Sequence, residues 1–407
     1  MTTKAYAIGC LTALLVLLGL AAAFNRVIDP FWYYGDVNLT GINAARTEFA
    51  HYERHIKPVI LARRRPQAVI FGNSYTEIGL DPLHPAFTDG GQLAGYNFAM
   101  AGSDWGMVYC NVLYALKHTD LRRAVIGIQP GPLPPVKCSG RSEFSGAVSA
   151  AELLLSGDAL TASWRTLTRQ HKGPSHTAEG RFFSKRERLD RVESGWRREM
   201  IYQITRYGYK SKRCWTDPAK AVAAVAGLQP DWSEPATNLN RKGLDALLRE
   251  LGRRGVEVRL LVYPVHAQGM ELRIACGESL RRWQDLQQIA RAAEAVPQTA
   301  GGSVELWDFQ GMAEPMVERI RNNETRIWQD VGHYNVEMGN TMLDVVFGPG
   351  DRGPPLGADV FGARLTGSNL ADRFREFYHN RKVFLAAQPW FHQDLATLLT
   401  DLAKGMK

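Results

Sequence analysis

Residues 68–74, AVIFGNS, decide how the rest of this 407-residue chain is interpreted. Four consecutive apolar residues predict a buried strand, and the Gly-Asn pair predicts a turn that leaves Ser74 at the carboxyl end of that strand. Helical patterns separate this strand from later apolar segments, which lie at 96–101, 124–128, 256–263 and 304–309. Strands that alternate with helices predict an α/β fold in which helices flank a parallel central sheet.

A second motif, Asp330-Val331-Gly332-His333, lies just before a helical pattern near the other end of the chain. A serine hydroxyl is a poor nucleophile until a base takes its proton, and a histidine oriented by a carboxylate is the usual base. Ser74, His333 and Asp330 are therefore candidate catalytic residues for acyl transfer or ester hydrolysis. The structural alternative makes Ser74 a turn or cap residue and Asp330 the cap of the helix that follows.

Polar groups that could stabilise an oxyanion follow three of the predicted strands. Open parallel sheets bind ligands beyond the carboxyl ends of their strands, so these loops are expected to converge on one crevice. The backbone N–H groups of Ser74 and Gly102 are candidate donors, because such groups stabilise the charge that develops in acyl transfer.

These motifs resemble those of the SGNH, or GDSL-like, hydrolase superfamily. Residues 71–74, with Gly-Leu-Asp-Pro at 79–82, resemble its first block, Gly102 resembles its second-block glycine, and 330–333 resemble its final block. The resemblance implies a three-layer, flavodoxin-like fold, a serine nucleophile, a histidine base and an aspartate that orients the histidine.

The resemblance covers residues 67–131 and 238–347 and has one departure. The third block of the family normally ends in an asparagine whose side chain is an oxyanion donor. The equivalent stretch here reads Gly127-Ile128-Gln129-Pro130-Gly131, so Gln129 would have to replace it with a longer side chain. The side-chain amide of Asn73 is the other candidate donor nearby.

The motif Val27-Ile28-Asp29-Pro30, together with an apolar amino terminus, resembles a membrane-anchored branch of such proteins in bacterial envelopes. Some relatives of this kind add or remove acetyl groups on exported polysaccharides. The resemblance thus implies a serine esterase or O-acyltransferase that acts on an acylated polysaccharide, alongside other export or acyl-transfer proteins. Two alternatives remain open: an inactive glycan-binding or assembly protein of a polysaccharide export system, and a peptidoglycan-facing esterase that docks through a basic insertion.

The segment 5–24 is apolar over about the 20 residues that a helix needs to cross a bilayer. An uncleaved anchor predicts one pass through the inner membrane, with the main domain periplasmic and with residues 31–34, FWYY, as an interfacial aromatic belt. A cleaved signal peptide is the alternative, since Ala21-Ala22-Ala23 resembles a cleavage site. The predicted domains are listed in chain order: a membrane anchor at 1–26, a juxtamembrane linker and helix at 27–66, a main domain at 67–347 with a largely helical insertion at 132–237, and a helical tail at 348–407.

Composition adds little about partners. The formal net charge of +8 favours anionic partners without identifying them, and nothing in the sequence indicates a nucleic-acid partner. No cofactor or metal is expected, because neither a phosphate-binding glycine loop nor a metal-ligand spacing is recognised. Cys10 lies in the apolar segment, and three disulfide pairings, or none, remain open for Cys110, Cys138, Cys214 and Cys276.

Overall fold

The structure, a computed structural model, describes residues 2–138, 149–184, 229–233, 239–275, 278–297, 302–320, 325–348 and 361–405. Most of the basic part of the predicted insertion, Cys214, Cys276 and nearly all of the predicted linker at 348–358 lie outside these ranges. The chain divides into two compact units. The first comprises residues 1–65 and 138–190, and the second comprises residues 66–137 and 191–407.

The secondary structure agrees with the apolar and helical periodicities of the sequence. The α-helices of the described ranges are α1 (Thr3–Ile28), α2 (Phe49–Arg64), α3 (Ser74–Gly79), α4 (Pro85–Thr88), α5 (Trp105–His118), α6 (Ala150–Leu155), α7 (Gly157–Thr168), α8 (Arg241–Arg253), α9 (Ala267–Ala275), α10 (Glu278–Glu294), α11 (Val336–Phe347), α12 (Leu370–Ala387) and α13 (Trp390–Gly405). The strands are β1 (Ala68–Phe71), β2 (Gly95–Asn97), β3 (Arg123–Ile128), β4 (Glu257–Val262), β5 (Ser303–Asp308) and β6 (Ala363–Leu365).

The second unit contains one six-stranded sheet in the order β2-β1-β3-β4-β5-β6. The first five strands pair in parallel, and β6 pairs antiparallel to β5. The predicted mixed α/β fold with a mostly parallel sheet flanked by helices is therefore confirmed. In the register, Phe71 pairs with Ile126, and Ile128 pairs with Val262, which pairs with Asp308. The carboxyl ends of β1, β3, β4 and β5 consequently lie along one edge.

Burial explains why the central strands are rich in apolar residues. All four residues of β1 and the last five of β3 and of β4 are buried, as is usual for parallel strands covered on both faces. Helix α8 packs through four fully buried leucines, Leu244, Leu247, Leu248 and Leu251. Each such side chain stabilises the fold by about 2 kcal/mol at most. The strands whose carboxyl ends form this edge are therefore part of a well-packed core.

Helix α1 in the first unit is long and apolar enough to cross a membrane. Its mean hydropathy reaches 2.5 over an 18-residue window, none of which is buried. The end of α1 is fixed to α6, because the Asn25 side chain donates a hydrogen bond to the Leu154 carbonyl at 2.9 Å. The aromatic residues beyond it differ from the predicted belt: Phe31 and Trp32 are buried, and the Arg46 guanidinium lies 3.6 Å above the Trp32 ring. Phe31 and Trp32 are therefore part of the core of the first unit, where the buried Arg46 side chain covers the Trp32 indole.

The cysteines fit part of the prediction. Cys110 and Cys138 are both disulfide-bonded, so the reading in which all four are reduced small hydrophobes is wrong. Cys10 is a free and exposed cysteine on α1.

Candidate active site

Ser74 is held at the carboxyl end of β1 by the start of helix α3. The helix cap is Asn73, whose side chain accepts a hydrogen bond from the Tyr75 N–H at 3.1 Å. Ser74 is therefore the first residue of the helix and not its cap, which leaves its hydroxyl available. Asn97 in β2 fixes the other end of α3, because its buried amide donates to the carbonyls of Thr76 at 2.9 Å and Leu80 at 3.1 Å. The neighbouring strand thus sets the position of the serine.

The segment that carries the histidine is a tight loop closed at both ends. Trp328 and Tyr334 form an antiparallel bridge, and the Gln329 N–H donates to the His333 carbonyl at 2.8 Å. Helix α11 begins at Val336, and its cap is Asn335, whose side chain accepts from the Met338 N–H. The alternative in which Asp330 caps that helix is therefore wrong.

Within this loop, Asp330 organises the backbone and the imidazole together. One carboxylate oxygen accepts hydrogen bonds from the Gly332 N–H at 2.9 Å and the His333 N–H at 2.7 Å. The other oxygen lies 2.6 Å from Nδ1 of His333. The aspartate holds both the turn and the ring orientation.

The serine and the histidine meet across the sheet edge, although 259 positions separate them in the chain. The Oγ atom of Ser74 lies 2.7 Å from Nε2 of His333. With Nδ1–H donating to Asp330, the lone pair of Nε2 faces the serine hydroxyl, which is the arrangement that lets the ring take its proton. Ser74, His333 and Asp330 are thus hydrogen-bonded in the order that a candidate nucleophile, base and orienting carboxylate would need.

The electrostatics of Asp330 support an ionised carboxylate. Burial alone would raise its pKa, but hydrogen bonds from the His333 ring and from the His333 and Gly332 N–H groups outweigh burial and hold the pKa below its usual value. A negative charge at this position stabilises the imidazolium that forms when the serine loses its proton.

Two tyrosine rings pack beside the residues Ser74, His333 and Asp330, which we call the relay. The Tyr75 ring stacks on His333 with centroids 4.6 Å apart, and its other neighbour, Tyr263, lies 4.9 Å away. These rings lie so close to Gly332 and Gly127 that neither position has space for a larger side chain. A Cβ at Gly332 would lie 2.6 Å from the Tyr75 ring, and one at Gly127 would overlap Tyr263. Burial raises the pKa of Tyr263, so the hydroxyl stays protonated beside the backbone N–H of Asn73, which lies 3.4 Å from it.

His266, in the loop after β4, is hydrogen-bonded to the loop 328–334 that carries His333. Its backbone N–H donates to the Val331 carbonyl at 3.0 Å, and its ring Nε2 lies 2.7 Å from the Glu318 carbonyl. Its Nδ1 accepts from the Gln268 N–H at 3.2 Å, so the neutral ring carries its proton on Nε2. Burial lowers the pKa of His266 to about 4, which keeps the ring neutral.

The predicted oxyanion groups lie on both sides of Ser74. Strand β1 lies between β2 and β3, so Gly102, beyond the end of β2, and Gln129, directly after β3, flank the serine. Gly102 is exposed and has a positive φ of 69°, a conformation that glycine adopts without strain. Gln129 is exposed. The Oδ1 atom of Asn73 is used by the α3 cap, which leaves its amide nitrogen as the possible donor.

Sequence reasoning missed four residues that build the site: Tyr75, Asn97, Tyr263 and His266. A buried asparagine at a strand end, a tyrosine at the end of β4 and a histidine three residues after it carry no motif of their own. For Tyr263 and His266 the available signal was their position at the carboxyl end of a predicted strand, and for Tyr75 it was the position next to the candidate nucleophile.

The structure thus brings Ser74, His333 and Asp330 into hydrogen-bond contact, with Asn73 adjacent to the serine. It places Gly102 and Gln129 in the loops that flank them. No protein-family model and no curated protein matches this chain.

Proposed function

We propose that this chain is a membrane-anchored serine esterase or O-acyltransferase of the SGNH type, acting on an acylated polysaccharide outside the cytoplasm. The observation that carries the proposal is the continuous line from Asp330 through His333 to the Ser74 hydroxyl, with separations of 2.6 and 2.7 Å. Distances of this size are what proton transfer to a general base needs.

The strand order of the sheet supports the three-layer, flavodoxin-like assignment. Strands β2-β1-β3-β4-β5 follow the order of one common doubly wound fold, in which ligands bind where the connections change direction, between β1 and β3. Ser74 and Gln129 come directly after those two strands or within a short turn of them. The candidate nucleophile therefore lies at the position where such sheets bind their ligands.

The reaction proceeds by acyl transfer through the serine. Ser74 Oγ attacks the acyl carbonyl of the ester while Nε2 of His333 takes the hydroxyl proton. The carbonyl oxygen becomes an oxyanion, for which the Ser74 and Gly102 N–H groups are the proposed donors, with the Asn73 and Gln129 amides beside them. The sugar oxygen then leaves with the proton from His333, and an acyl-enzyme remains. Water completes hydrolysis of this intermediate, whereas a sugar hydroxyl completes transfer.

The location follows from two features of the described residues. Helix α1 can span a bilayer once, and disulfides such as those of Cys110 and Cys138 form and persist in oxidising compartments outside the cytoplasm. Both favour a single-pass inner-membrane protein with its main domain in the periplasm. Proteinase K added to spheroplasts should degrade this domain while a cytosolic marker survives, and protection of the domain would contradict this location.

The central experiment compares the full-length protein, in detergent micelles, with Ser74→Ala. The parent should react covalently with a fluorophosphonate probe at Ser74, release nitrophenol from p-nitrophenyl acetate and release acetate from acetylated xylan. Ser74→Ala should lose the label and at least 1,000-fold of the turnover, since removing a triad member typically has this effect. Ser368→Ala is the matched control, because Ser368 is exposed and bonds only locally to Thr366.

The second candidate function is a glycan-binding or assembly module without catalysis. The exposed Gln129, at the position where the resemblance implies an asparagine donor, favours it. This version predicts glycan binding with no covalent labelling, so a labelled Ser74 excludes it. The peptidoglycan alternative depends on the basic insertion, most of which lies outside the described residues.

A further inference from the structure

A cavity of about 430 Å³ lies beyond the carboxyl ends of β3 and β5. The loop after β3 forms one wall, the residue Gln310 after β5 contributes to the floor, and helices α9, α10 and α12 complete the lining. Its volume is within the range of roughly 300–1,000 Å³ that is usual for small-molecule sites. This size suits a sugar unit.

The cavity is strongly basic. Its lining includes Arg273 from α9 and Arg281 and Arg282 from the amino-terminal part of α10, against a single acidic residue, Asp285. We call it the arginine cavity. Arg282 is already neutralised, because its Nη2 donates to both carboxylate oxygens of Asp308 at 2.6 and 2.5 Å. The amino terminus of α10, a 17-residue helix, adds positive partial charge at the same wall.

The other two arginines lack such a partner. Within the part of the chain that the structure describes, neither Arg273 nor Arg281 forms an ion pair or a side-chain hydrogen bond. Arg281 is exposed and Arg273 is partly exposed, so their guanidinium groups are available to a ligand. A guanidinium presents its donors in a planar fork that matches the oxygens of a carboxylate or a phosphate.

The remaining lining is suited to a sugar ring. Gln129 and Gln310 place amides beside the arginines, and Gln310 is fixed by donating to the Tyr263 carbonyl at 2.9 Å. Phe377 of α12 supplies an aromatic face. Amides bond to hydroxyl groups, and apolar surface packs against the C–H face of a pyranose.

The cavity and the candidate active site lie at the same edge of the sheet, next to neighbouring strands. Gln129, which lines it, follows β3, and β3 is the direct neighbour of the strand that carries Ser74. A glycan with one acylated unit at Ser74 would extend along this edge toward the arginines.

We infer that the arginine cavity binds an anionic sugar unit, whose carboxylate or phosphate pairs with Arg273 and Arg281. The assignment of that unit to the substrate rests on the function proposed above, whereas binding of the anionic sugar does not require catalysis. The polysaccharide then carries acidic residues, and its charge selects it from neutral glycans of the same shape.

Binding is measured by calorimetry on the full-length Ser74→Ala protein in detergent micelles, which holds ligand without turning it over. The probes are hexagalacturonate and maltohexaose, both α-1,4-linked hexose hexamers that differ in their carboxylates, and glucose 1-phosphate. Hexagalacturonate or glucose 1-phosphate should bind, and the stronger of the two identifies the anionic group. Maltohexaose should bind at least tenfold more weakly than hexagalacturonate if the carboxylate is the group recognised.

Substituting both arginines, Arg273→Gln with Arg281→Gln, should weaken binding of the anionic probe at least tenfold and reduce its salt dependence. The lysine pair, Arg273→Lys with Arg281→Lys, should recover part of the affinity because it keeps the charge without the fork. Arg249→Gln, an exposed arginine on α8 that lies 3.9 Å from Asp245, is the matched control and should bind like the parent.

Three outcomes would overturn the inference. Neither anionic probe binds to the Ser74→Ala protein, maltohexaose binds as tightly as the anionic probe, or the double glutamine variant keeps full affinity. The proposed function is tested separately by p-nitrophenyl acetate, a small neutral ester that does not need the cavity. Retained turnover in Ser74→Ala would refute the esterase while leaving the binding result intact.

Discussion

The Ser74 region and the arginine cavity lie on the same sheet edge and differ in how their polar groups are paired. Around Ser74, the hydroxyl, both ring nitrogens of His333 and both oxygens of Asp330 all have partners within 3 Å. In the cavity, Arg273 and Arg281 have no such partner among the described residues. The first region is complete without a ligand, and the second has positive charge that an anionic ligand can neutralise.

Under the proposed function, this difference separates the residues that carry out the reaction from those that select the substrate. A relay must be held rigidly before the substrate arrives, because its rate depends on geometry within a fraction of an ångström. A site that selects by charge can leave its cations solvated until a ligand displaces the water. Changes in the first region should therefore affect every ester, and changes in the second should affect only anionic glycans.

The largest effect is expected for Asp330→Asn. An amide in this position can donate to Nδ1 and so stabilises the tautomer that carries its proton on Nε2, facing the serine. Turnover of p-nitrophenyl acetate should fall on the order of 1,000–10,000-fold, with binding of an anionic glycan unchanged. Asp372→Asn, on the exposed face of α12, is the control and should keep full turnover. An Asp330→Asn protein with near-parental turnover would remove the aspartate from the mechanism.

His266→Gln should change how stability depends on pH. The folded protein keeps His266 neutral down to about pH 4, whereas the unfolded chain binds a proton near pH 6.5. Between these values the unfolded state binds more protons, so this group makes the fold less stable as the pH falls, by about 3 kcal/mol in all. Below about pH 4 its contribution no longer changes.

Urea unfolding of the parent and of His266→Gln at several pH values between 7 and 4 measures this effect. The variant should be less stable at pH 7 but should lose less stability on acidification, since glutamine does not titrate. His379→Gln, which alters an exposed histidine on α12, should retain the parental slope. Equal slopes for the parent and His266→Gln would show that this buried histidine does not control the acid response.

Gly332→Ala tests how tightly the rings hold the relay. The added methyl group would lie 2.6 Å from the Tyr75 ring, which must move and take the stacked imidazole with it. Turnover should fall about 10- to 100-fold, because small displacements of a catalytic group are costly. Gly311→Ala is the matched control, since a Cβ there meets no atom within 4 Å. Similar turnover in both variants would mean that the stacking does not position His333.

The helices and strands that have a long periodic or apolar pattern could be predicted from the sequence, whereas the short elements could not. Helix α8 shows its leucine stripe in the sequence. Strands β1 and β3 are apolar runs, β4 and β5 are rich in apolar residues, and the carboxyl ends of all four must share one edge if they pair in parallel. The proximity of Ser74 and His333 was predicted instead from the chemistry of the two motifs, because a serine nucleophile needs a histidine base that a carboxylate orients. Strand β6 has only three residues and pairs antiparallel at the sheet edge, so no local pattern identifies it.

The supporting residues depend on tertiary contacts that local sequence does not encode. Asn97 acts by bonding carbonyls of α3, and His266 acts through the Val331 carbonyl, 65 positions away. The arginine cavity likewise needs α9, α10 and α12 to meet beside β3 and β5. The aromatic residues 31–34 were interpreted from composition alone, and the pairing of Trp32 with Arg46 depends on a fold of the first unit that the sequence does not reveal.

The smallest effect is expected for Gln129→Ala, and it decides to which region this residue belongs. Gln129 is exposed and lines the arginine cavity, so its loss should lower turnover of p-nitrophenyl acetate tenfold or less. It should weaken binding of an anionic glycan by a similar factor. A true oxyanion donor typically contributes about 100–1,000-fold to turnover, so a loss of that size on the small ester would assign Gln129 to the oxyanion site in place of the missing asparagine. Because Gln129 lines the arginine cavity and also follows the strand next to the one that carries Ser74, the ratio of these two effects shows whether the side chain serves mainly the proposed reaction or mainly glycan binding.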